Sequence, residues 1–341
     1  MNSQTNVDLV LVYLGNQMPK YVEKNLEYLR SNFPEHRIIF IGDSERTLSK
    51  ARKLQVEVFK TVNWQEMQRE VYLKLKHPRE FRSGFWFKTI ARFFAIAEFQ
   101  AVSLRPLIQI ECDVLVAGNF PFAAFSCLID SVAFPMENLS QGAASILWIG
   151  NSKLSQELAE ISLKLIHNDP QLTDMTILGK VANELLIPYV SLPTIRSSED
   201  FIQSVETEKF FKNFNYFGGC FDALAYGMFL LGSDPRNRRG LSELFKKRPE
   251  QVMPRNVSSI RSNDKGTAIE VQLESGTSYK LFCLHNHSKN LKVWSTSRHE
   301  FINRRSRMLG NGKNQTHVFY PVVFLRLLLS KVKRTIKVGN K

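Results

Sequence analysis

Cysteine is scarce in this chain: four of its 341 residues are cysteines, scattered at Cys112, Cys127, Cys220 and Cys283. None belongs to a Cys-x-x-Cys pair, so the sequence lacks the spacing of a cysteine zinc site and the density of a disulfide framework. We therefore expect free thiols in a reducing compartment. The N-terminal apolar run also lacks the basic region of a signal peptide and is too short to be one. These absences predict a cytoplasmic protein.

Acidic residues are few relative to basic ones, with 32 Asp and Glu against 46 Lys and Arg and a formal net charge of +14. The excess is concentrated in residues 297–341, which hold eleven of the basic side chains and one acidic side chain, Glu300. Residues 1–296, with the other 35 basic and 31 acidic side chains, are close to neutral. A nucleic-acid-binding protein spreads basic and aromatic side chains over its binding domain, so we expect no nucleic acid partner. We predict a main domain at 1–296 and a basic tail at 297–341.

A long hydrophobic run is missing as well. Residues 320–341 contain an apolar run of about a dozen residues that includes Arg326, whereas a membrane-spanning helix needs roughly 20 apolar residues. In a helical projection five apolar residues share one face, opposite a basic face: Leu325, Leu328, Leu329, Val332 and Ile336. Such an amphipathic helix is typical of attachment to an anionic membrane surface, and packing against the main domain is the alternative.

The chain does contain enough apolar and aromatic residues for a packed core, at 43% and 11%. Apolar runs at 7–15 and 37–43 flank a segment with helical spacing at 19–34, which predicts a βαβ unit. A helix and a strand within 44–62 extend this unit, and an amphipathic helix follows at 83–102. The pattern predicts an α/β fold in which a parallel sheet carries helices on its faces.

An acidic pair stands at the carboxyl end of the next apolar strand, where LIQI is followed by Glu111, Cys112 and Asp113. Because side chains alternate along an extended chain, Glu111 and Asp113 lie on one side and Cys112 on the other. Ligands of open parallel sheets bind at this edge, and two adjacent carboxylates need a compensating cation when they are buried. The triplet alone is compatible with a site for a divalent cation and a diphosphate, or with an exposed turn.

The stretch IECDVLV at 110–116 resembles the DxD motif of nucleotide-sugar-dependent glycosyltransferases of the GT-A type. Residues 217–236 and 281–294 are similar to segments of bacterial polysaccharide glycosyltransferases of this type. The resemblance spans 7–295 and departs at Glu111, where the motif has Asp. It implies a GT-A fold, which is a Rossmann-like mixed sheet flanked by helices, as the catalytic domain.

The same resemblance implies a reaction and its partners. The donor substrate would be a nucleotide diphosphate sugar bound with Mn²⁺ or Mg²⁺, and the acceptor a saccharide or a lipid-linked saccharide. Transfer of this kind belongs to surface polysaccharide or capsule assembly. We therefore expect a peripheral enzyme at the inner face of the cytoplasmic membrane, which binds the anionic surface through its tail.

Metal ligands are expected from two distant parts of the chain. Asp113 is the expected carboxylate ligand, whereas Glu111 is open to a contact with the ribose, with the metal or with neither. A predicted hairpin strand ends at His285 and His287, which lie on one side by the period of two. The resemblance assigns a late histidine to the metal, so one of these two is expected to bind it. Lys289 follows in a loop that suits the diphosphate.

Further residues are expected at the nucleotide. Asp43 ends the second predicted strand, and Lys88 and Arg92 lie four residues apart on one face of a mostly apolar helix. A charged pair on such a helix needs a partner, either the diphosphate or the acidic motif. Gly218 and Gly219 precede a helix-like run, where backbone could approach an anion closely, or where a tight turn serves packing alone.

Two aspartates are candidates for catalysis. Inverting transfer needs a carboxylate that accepts the acceptor hydroxyl's proton, and Asp174 opens an apolar helix at the kind of position where inverting GT-A enzymes carry this base. A first-turn acid that interacts with the helix dipole is the alternative, and a retaining enzyme would not need the base. Asp222 either bonds an acceptor hydroxyl or caps the following helix.

Two other classes of function stay open at this stage. A nucleotidylyltransferase would need a glycine-rich, basic phosphate loop after the first strand, but residues 13–21 contain one glycine. A non-catalytic lipid-binding or nucleic-acid-binding protein would not need the acidic motif or the paired histidines. The glycosyltransferase reading accounts for more of these features.

Overall fold

The computed structural model describes most of the chain up to residue 310. The described residues are 7–62, 71, 73–77, 84–198, 208–232, 257–263, 265 and 267–310. The predicted amphipathic helix at 320–341 and the end of the segment 217–236 therefore lie outside the described residues, and membrane attachment stays a prediction.

A seven-stranded sheet forms the centre of the protein, in the order β3-β2-β1-β4-β7-β6-β8. The described strands are β1 (Asp8–Tyr13), β2 (Arg37–Gly42), β3 (Glu57–Lys60), β4 (Leu107–Ile110), β5 (Val114–Val116), β6 (Val132–Pro135), β7 (Ile146–Ile149), β8 (Tyr189–Leu192), β9 (Val257–Ser262), β10 (Ile269–Leu273), β11 (Ser278–Leu281) and β12 (Cys283–His285). Strands β3, β2, β1 and β4 are parallel, as the sequence predicts. Strand β7 is antiparallel to both β4 and β6, so the sheet is mixed rather than purely parallel.

Helices cover both faces of this sheet. They are α1 (Lys20–Asn32), α2 (Glu45–Lys53), α3 (Phe85–Ser103), α4 (Phe122–Phe125), α5 (Ser152–Asn168), α6 (Asp174–Glu184), α7 (Glu208–Phe211), α8 (Phe214–Phe217), α9 (Ala225–Leu231) and α10 (Arg298–Gly310), with short 3-10 turns at Ser126–Leu128 and Leu291–Trp294. The predicted βαβ unit is formed by β1, α1 and β2, and the helix predicted at 83–102 is α3. The α/β fold class with a mixed sheet and flanking helices is confirmed.

Alternation along the strands divides the core into two halves. In β1, Leu9 and Leu11 face the half that holds Leu26 of α1, whereas Val10 faces the half that holds Ile90 of α3. The central strands are buried on both faces, which explains why their sequences are continuously apolar. Strand ends at the carboxyl edge of the sheet are therefore the places where polar side chains can gather.

Two small sheets connect the end of the described chain to this edge. Strands β9, β10 and β11 form an antiparallel sheet, which confirms the predicted hairpin. After Phe282 the chain pairs again, because β12 runs antiparallel to β5 with His285 opposite Val114. This second pairing brings a late segment beside the acidic motif.

The first part of the predicted tail packs against the main body. Helix α10 lies on β9, where the backbone N–H of Ile260 donates to Ser306 Oγ at 2.9 Å and that of Ser262 donates to Asn303 Oδ1 at 2.8 Å. Ile302 of the same helix is fully buried. The domain boundary at 296/297 stays a prediction. No helix within the described ranges is both long enough and apolar enough to span a bilayer.

Candidate metal and nucleotide site

The acidic motif forms a turn that three backbone hydrogen bonds hold in place. Strand β4 ends at Ile110, and β5 begins at Val114, whose N–H donates to Glu111 O at 2.9 Å. The N–H of Glu111 donates to Ser145 O at 3.1 Å, and Asp113 O accepts from Asn286 N–H at 2.7 Å. The turn is therefore tied to β7 on one side and to the segment after β12 on the other.

One group of three potential metal ligands is found in the part of the chain that the structure describes: Glu111, Asp113 and His285. One ligand atom from each lies within 4.8 Å of the others. His285 Nε2 is 3.3 Å from Asp113 Oδ2 and 3.5 Å from Glu111 Oε2. The acidic pair and a late histidine thus converge, as the sequence predicts, and the histidine is His285.

The orientation of His285 fits a metal ligand. Its Nδ1 lies 3.0 Å from the carbonyl oxygen of Ala223, and since a carbonyl only accepts, Nδ1 carries the proton. Nε2 is then the ring atom that faces the two carboxylates. Two carboxylates and an imidazole with a bonded outer nitrogen match the ligands of a divalent cation such as Mn²⁺.

His287 takes a different position. Its ring meets that of His285 edge to face with the centroids 5.8 Å apart, and its backbone N–H donates to His285 O at 2.9 Å. It is not a member of the group of potential ligands described above. The two predicted histidines are thus neighbours, and in the described part of the chain His285 is the one that belongs to this group.

Asp222 forms a hydrogen bond with the backbone of His285. Its carboxylate accepts the backbone N–H groups of Tyr226 at 3.0 Å, Gly227 at 2.8 Å and His285 at 2.8 Å. The residue is fully buried, and burial raises the pKa of this carboxyl to about 6 although the three donors lower it. Of the two predicted roles, the structure shows the cap at the start of α9. The carboxylate has no exposed surface for a substrate hydroxyl.

Gly227 is required beside this histidine. A Cβ atom at this position would lie 1.8 Å from His285 O and 2.9 Å from Asp222 Oδ2. We expect Gly227→Ala to lower stability by about 1–3 kcal/mol, as overpacking typically does, and to displace His285. Urea unfolding combined with Mn²⁺ titration by electron paramagnetic resonance measures both effects.

Gly150→Ala is the matched control, because its Cβ would lie 2.0 Å from Ile129 O at the opposite edge of the sheet. It should destabilise the protein comparably and leave Mn²⁺ affinity unchanged. Equal Mn²⁺ affinity in the two folded variants would contradict the role of Gly227.

Lys289 forms an ion pair with one member of the group, Asp113. Its Nζ forms an ion pair with Asp113 Oδ2, the oxygen that also faces His285. The ammonium also lies 5.3 Å from the ring centre of Tyr21. Lys289 has a φ of 56°, an uncommon left-handed conformation for a residue other than glycine. Cys112 points away as predicted, with its Sγ 3.4 Å from Val12 O.

Arg92 bridges two carboxylates inside the protein. Its guanidinium donates to Glu111 Oε1 at 2.6 Å through Nη1 and to Asp174 Oδ2 through Nη2. All three side chains are at most one-fifth exposed. The structure thus gives Arg92 one of its two predicted partners, the acidic motif, and adds Asp174.

One guanidinium does not compensate both acids equally. Burial raises the pKa of Glu111, but the opposing effect of Arg92 and His285 is larger. The pKa is therefore lowered to about 2. The pKa of Asp174 is raised, because burial outweighs the opposing charge of Arg92. Asp174 begins α6 directly after the capping residue Thr173, so the first-turn position is confirmed. The ion pair with Arg92 occupies an oxygen of the Asp174 carboxylate, and the catalytic role of Asp174 stays a prediction.

The residues predicted at the nucleotide lie at the ends of β1 and β2. Asp43 follows β2 and its Oδ1 accepts the backbone N–H of Gly15 at 2.8 Å. The Lys88 ammonium lies beside the same glycine, 3.6 Å from where a Cβ on Gly15 would stand. Asp43 and Lys88 are therefore near each other at the carboxyl edge of the parallel strands, next to β4.

The two glycines have structural explanations. Gly218 ends α8 with a φ of 75°, a left-handed cap that glycine adopts without strain. A Cβ on Gly219 would lie 2.8 Å from Lys280 O, because the chain here pairs with β11. The helix expected directly after them begins only at Ala225. The alternative of a turn that serves packing accounts for both positions, and an anion contact at them stays a prediction.

Sequence reasoning missed one residue at this site. Asn25 of α1 is fully buried, and its Nδ2 donates to Val114 O at 3.0 Å and to Cys112 O at 3.2 Å. The available signal was a polar side chain within the apolar face of α1, between Val22 and Leu26.

Comparisons with known proteins give similarities of fold only. No protein-family model and no curated protein matches the chain. Mouse xyloside xylosyltransferase 1 is similar at 10% identity and a TM-score of 0.40, over 55% of this chain and 85% of that one. The galactosyltransferase LgtC, solved with donor and acceptor sugar analogs, is similar at 16% identity and a TM-score of 0.38, over 55% of this chain and 73% of that one. A cytidylyltransferase from Leptospira borgpetersenii is similar at 10% identity and a TM-score of 0.31, over 57% of this chain and 78% of that one. At these TM-scores, function has to be inferred from the site geometry of this chain.

Proposed function

We propose that this chain is a metal-dependent GT-A glycosyltransferase that transfers a sugar from a nucleotide diphosphate sugar to a saccharide acceptor. One observation carries the proposal: Glu111, Asp113 and His285 converge at the carboxyl edge of a sheet whose first strands form a βαβ unit. Ligands of open α/β sheets bind at this edge. The donor set suits a hard divalent cation that also takes phosphate oxygens.

The roles follow from charge and position. Asp113, His285 and Glu111 would hold the cation, which supplies positive charge to the departing diphosphate. Lys289 would leave Asp113 and bind a diphosphate oxygen, since an ammonium beside the site serves either anion. Asp43 and Lys88 would bind the nucleoside part from the ends of β2 and α3. Arg92 and Asp174 would lie on the far side of Glu111, where the transferred sugar is expected.

The biological setting is a further part of the proposal. A lipid-linked saccharide acceptor in surface polysaccharide assembly would place the enzyme at the inner face of the cytoplasmic membrane. The basic and apolar pattern of residues 320–341 supports attachment to an anionic surface. Deletion of this segment should then reduce sedimentation with anionic vesicles, whereas turnover of a soluble acceptor should be retained.

The proposal is tested by binding and turnover. Isothermal titration with UDP, GDP, CDP and ADP, each with and without Mn²⁺, should identify one nucleotide whose affinity needs the metal. The corresponding nucleotide sugars should then be hydrolysed slowly to the nucleoside diphosphate. Absence of metal-dependent binding across the panel would overturn the proposal. Consumption of a nucleoside triphosphate with release of pyrophosphate would instead identify a nucleotidylyltransferase.

Lys289→Met should have opposite effects on the two ligands. Removal of the ammonium frees Asp113, so the affinity for Mn²⁺ alone should rise. The affinity for the nucleoside diphosphate should fall about tenfold or more, since hydrogen bonds to charged groups contribute about 1.5–3 kcal/mol. Titration of each ligand separately measures this, with the exposed Lys292→Met as control. A change of the same sign for both ligands would contradict the exchange of Lys289 between Asp113 and phosphate.

A further inference from the structure

Helix α1 contacts the acidic turn, which consists of Glu111, Cys112 and Asp113, through the side-chain amide of Asn25. Asn25 Nδ2 points at three carbonyl oxygens of the turn and the start of β5: Val114 at 3.0 Å, Cys112 at 3.2 Å and Glu111 at 3.5 Å. An amide nitrogen has two protons, so the two shorter contacts are satisfied hydrogen bonds. A single side chain thus fixes the backbone on both sides of Asp113.

Asn25 is an unfavourable choice for packing alone. It is fully buried on the face of α1 that also carries Val22, Leu26 and Leu29, where a leucine would suit the surroundings. Its Oδ1 is buried and has no hydrogen-bond partner among the described residues. Burial of an unsatisfied polar atom lowers stability, and such a local violation is expected mainly where a residue serves the site.

The geometry of the turn explains what the amide adds. Strands β4 and β5 are four and three residues long, so the ladder hydrogen bonds end close to the turn. The carbonyl of Cys112 points towards α1, and a donor there holds the peptide plane between Cys112 and Asp113. The direction of this plane determines where the Asp113 side chain leaves the backbone. A rotated plane would move the carboxylate away from His285.

We propose that Asn25 is the positioning residue of the metal site: its amide holds the turn so that the carboxylates of Glu111 and Asp113 converge with His285. The inference rests on the proposed function and deepens it. Asn25 acts through the backbone, because its amide nitrogen donates to the carbonyl oxygens on both sides of Asp113. Residues that orient metal ligands without binding the metal typically change metal affinity about 10- to 100-fold when replaced.

Asn25→Leu and Asn25→Ala test this role, with Tyr28→Phe as the matched control. Tyr28 lies one turn further along α1, and its hydroxyl donates to Val116 O at 2.6 Å, beyond the turn at Glu111, Cys112 and Asp113. Mn²⁺ alone is the probe, followed by electron paramagnetic resonance, and stability is followed by urea unfolding. We expect both Asn25 variants to fold and to lose Mn²⁺ affinity about 10- to 100-fold. Tyr28→Phe should lower stability and keep Mn²⁺ affinity within about twofold, because its bond lies outside the turn.

The outcomes separate this inference from the proposed function. Wild-type Mn²⁺ affinity in a folded Asn25 variant, or an equal loss in Tyr28→Phe, would overturn the positioning role and leave the metal site intact. Failure of both Asn25 variants to fold would assign the residue to the fold and would overturn the inference as well. Absence of Mn²⁺ binding in the wild-type protein would reject the proposed metal site itself.

Discussion

Asp113→Asn is expected to abolish metal-dependent binding of the nucleoside diphosphate while the protein stays folded. Asn has the shape of Asp but lacks the negative charge, so the site loses the carboxylate that both His285 and Lys289 face. The loss should exceed the about 10- to 100-fold that replacement of an outer-shell partner causes. Isothermal titration of the nucleotide with Mn²⁺ measures the affinity, and thermal unfolding verifies the fold.

Three further variants serve as comparisons for this result. Asp130→Asn removes an exposed carboxylate away from the motif and should bind as the wild type does. His285→Ala should weaken the same affinity, whereas His287→Ala should affect it much less, because His285 belongs to the group of potential ligands among the described residues. Unchanged nucleotide affinity in folded Asp113→Asn would reject the metal site.

The second large effect is expected for Arg92→Met, which should lower the free energy of unfolding by about 3–5 kcal/mol. Removal of the guanidinium deprives Glu111 and Asp174 of the arginine that bridges them, and leaves Glu111 with the more distant His285 at 3.5 Å. Burial raises the pKa of both acids, and the lowered pKa of Glu111, about 2, depends on Arg92 and His285. Urea unfolding at neutral pH measures the loss.

The cause can be isolated by a double variant. In the double variant Arg92→Met with Asp174→Asn, one of the two acids that lost the arginine is replaced by a neutral amide. Part of the lost stability should therefore return. The two substitutions should therefore be non-additive, as expected for residues in direct contact. Arg30→Met, at an exposed position of α1, controls for the loss of an arginine. Strict additivity would show that Arg92 acts on stability through packing rather than through these carboxylates.

Both predictions concern the same small volume of the protein. Arg92 arrives from α3, Glu111 and Asp113 from the turn after β4, Asp174 from the start of α6 and His285 from β12. Buried charges of both signs lie within hydrogen-bonding reach of one another, and Asn25 adds a neutral donor beneath them. Such a concentration of perturbed acids at one sheet edge is typical of a functional site.

The sequence by itself determined the local elements of this protein and the residue types of its site. Strands β1, β2 and β4 could be read from continuous apolar runs, and helices α1 and α3 from apolar residues at helical spacing. The acidic pair was visible because two acids follow a buried strand. The hairpin of β10 and β11 followed from alternation and a Ser-Gly turn. Each of these signals lies within one continuous segment of the chain.

Only the tertiary structure decided which of these residues meet. The pairing of β12 with β5 brings His285 beside the acidic pair, and the Lys289–Asp113 ion pair joins residues 176 positions apart. The antiparallel insertion of β7, which mixes the sheet, likewise depends on how a distant strand docks. Packing also placed Asp222 against the backbone of His285 and placed Asn25 against the motif turn. These contacts depend on the approach of separate segments in space, and no periodicity within a single segment encodes them.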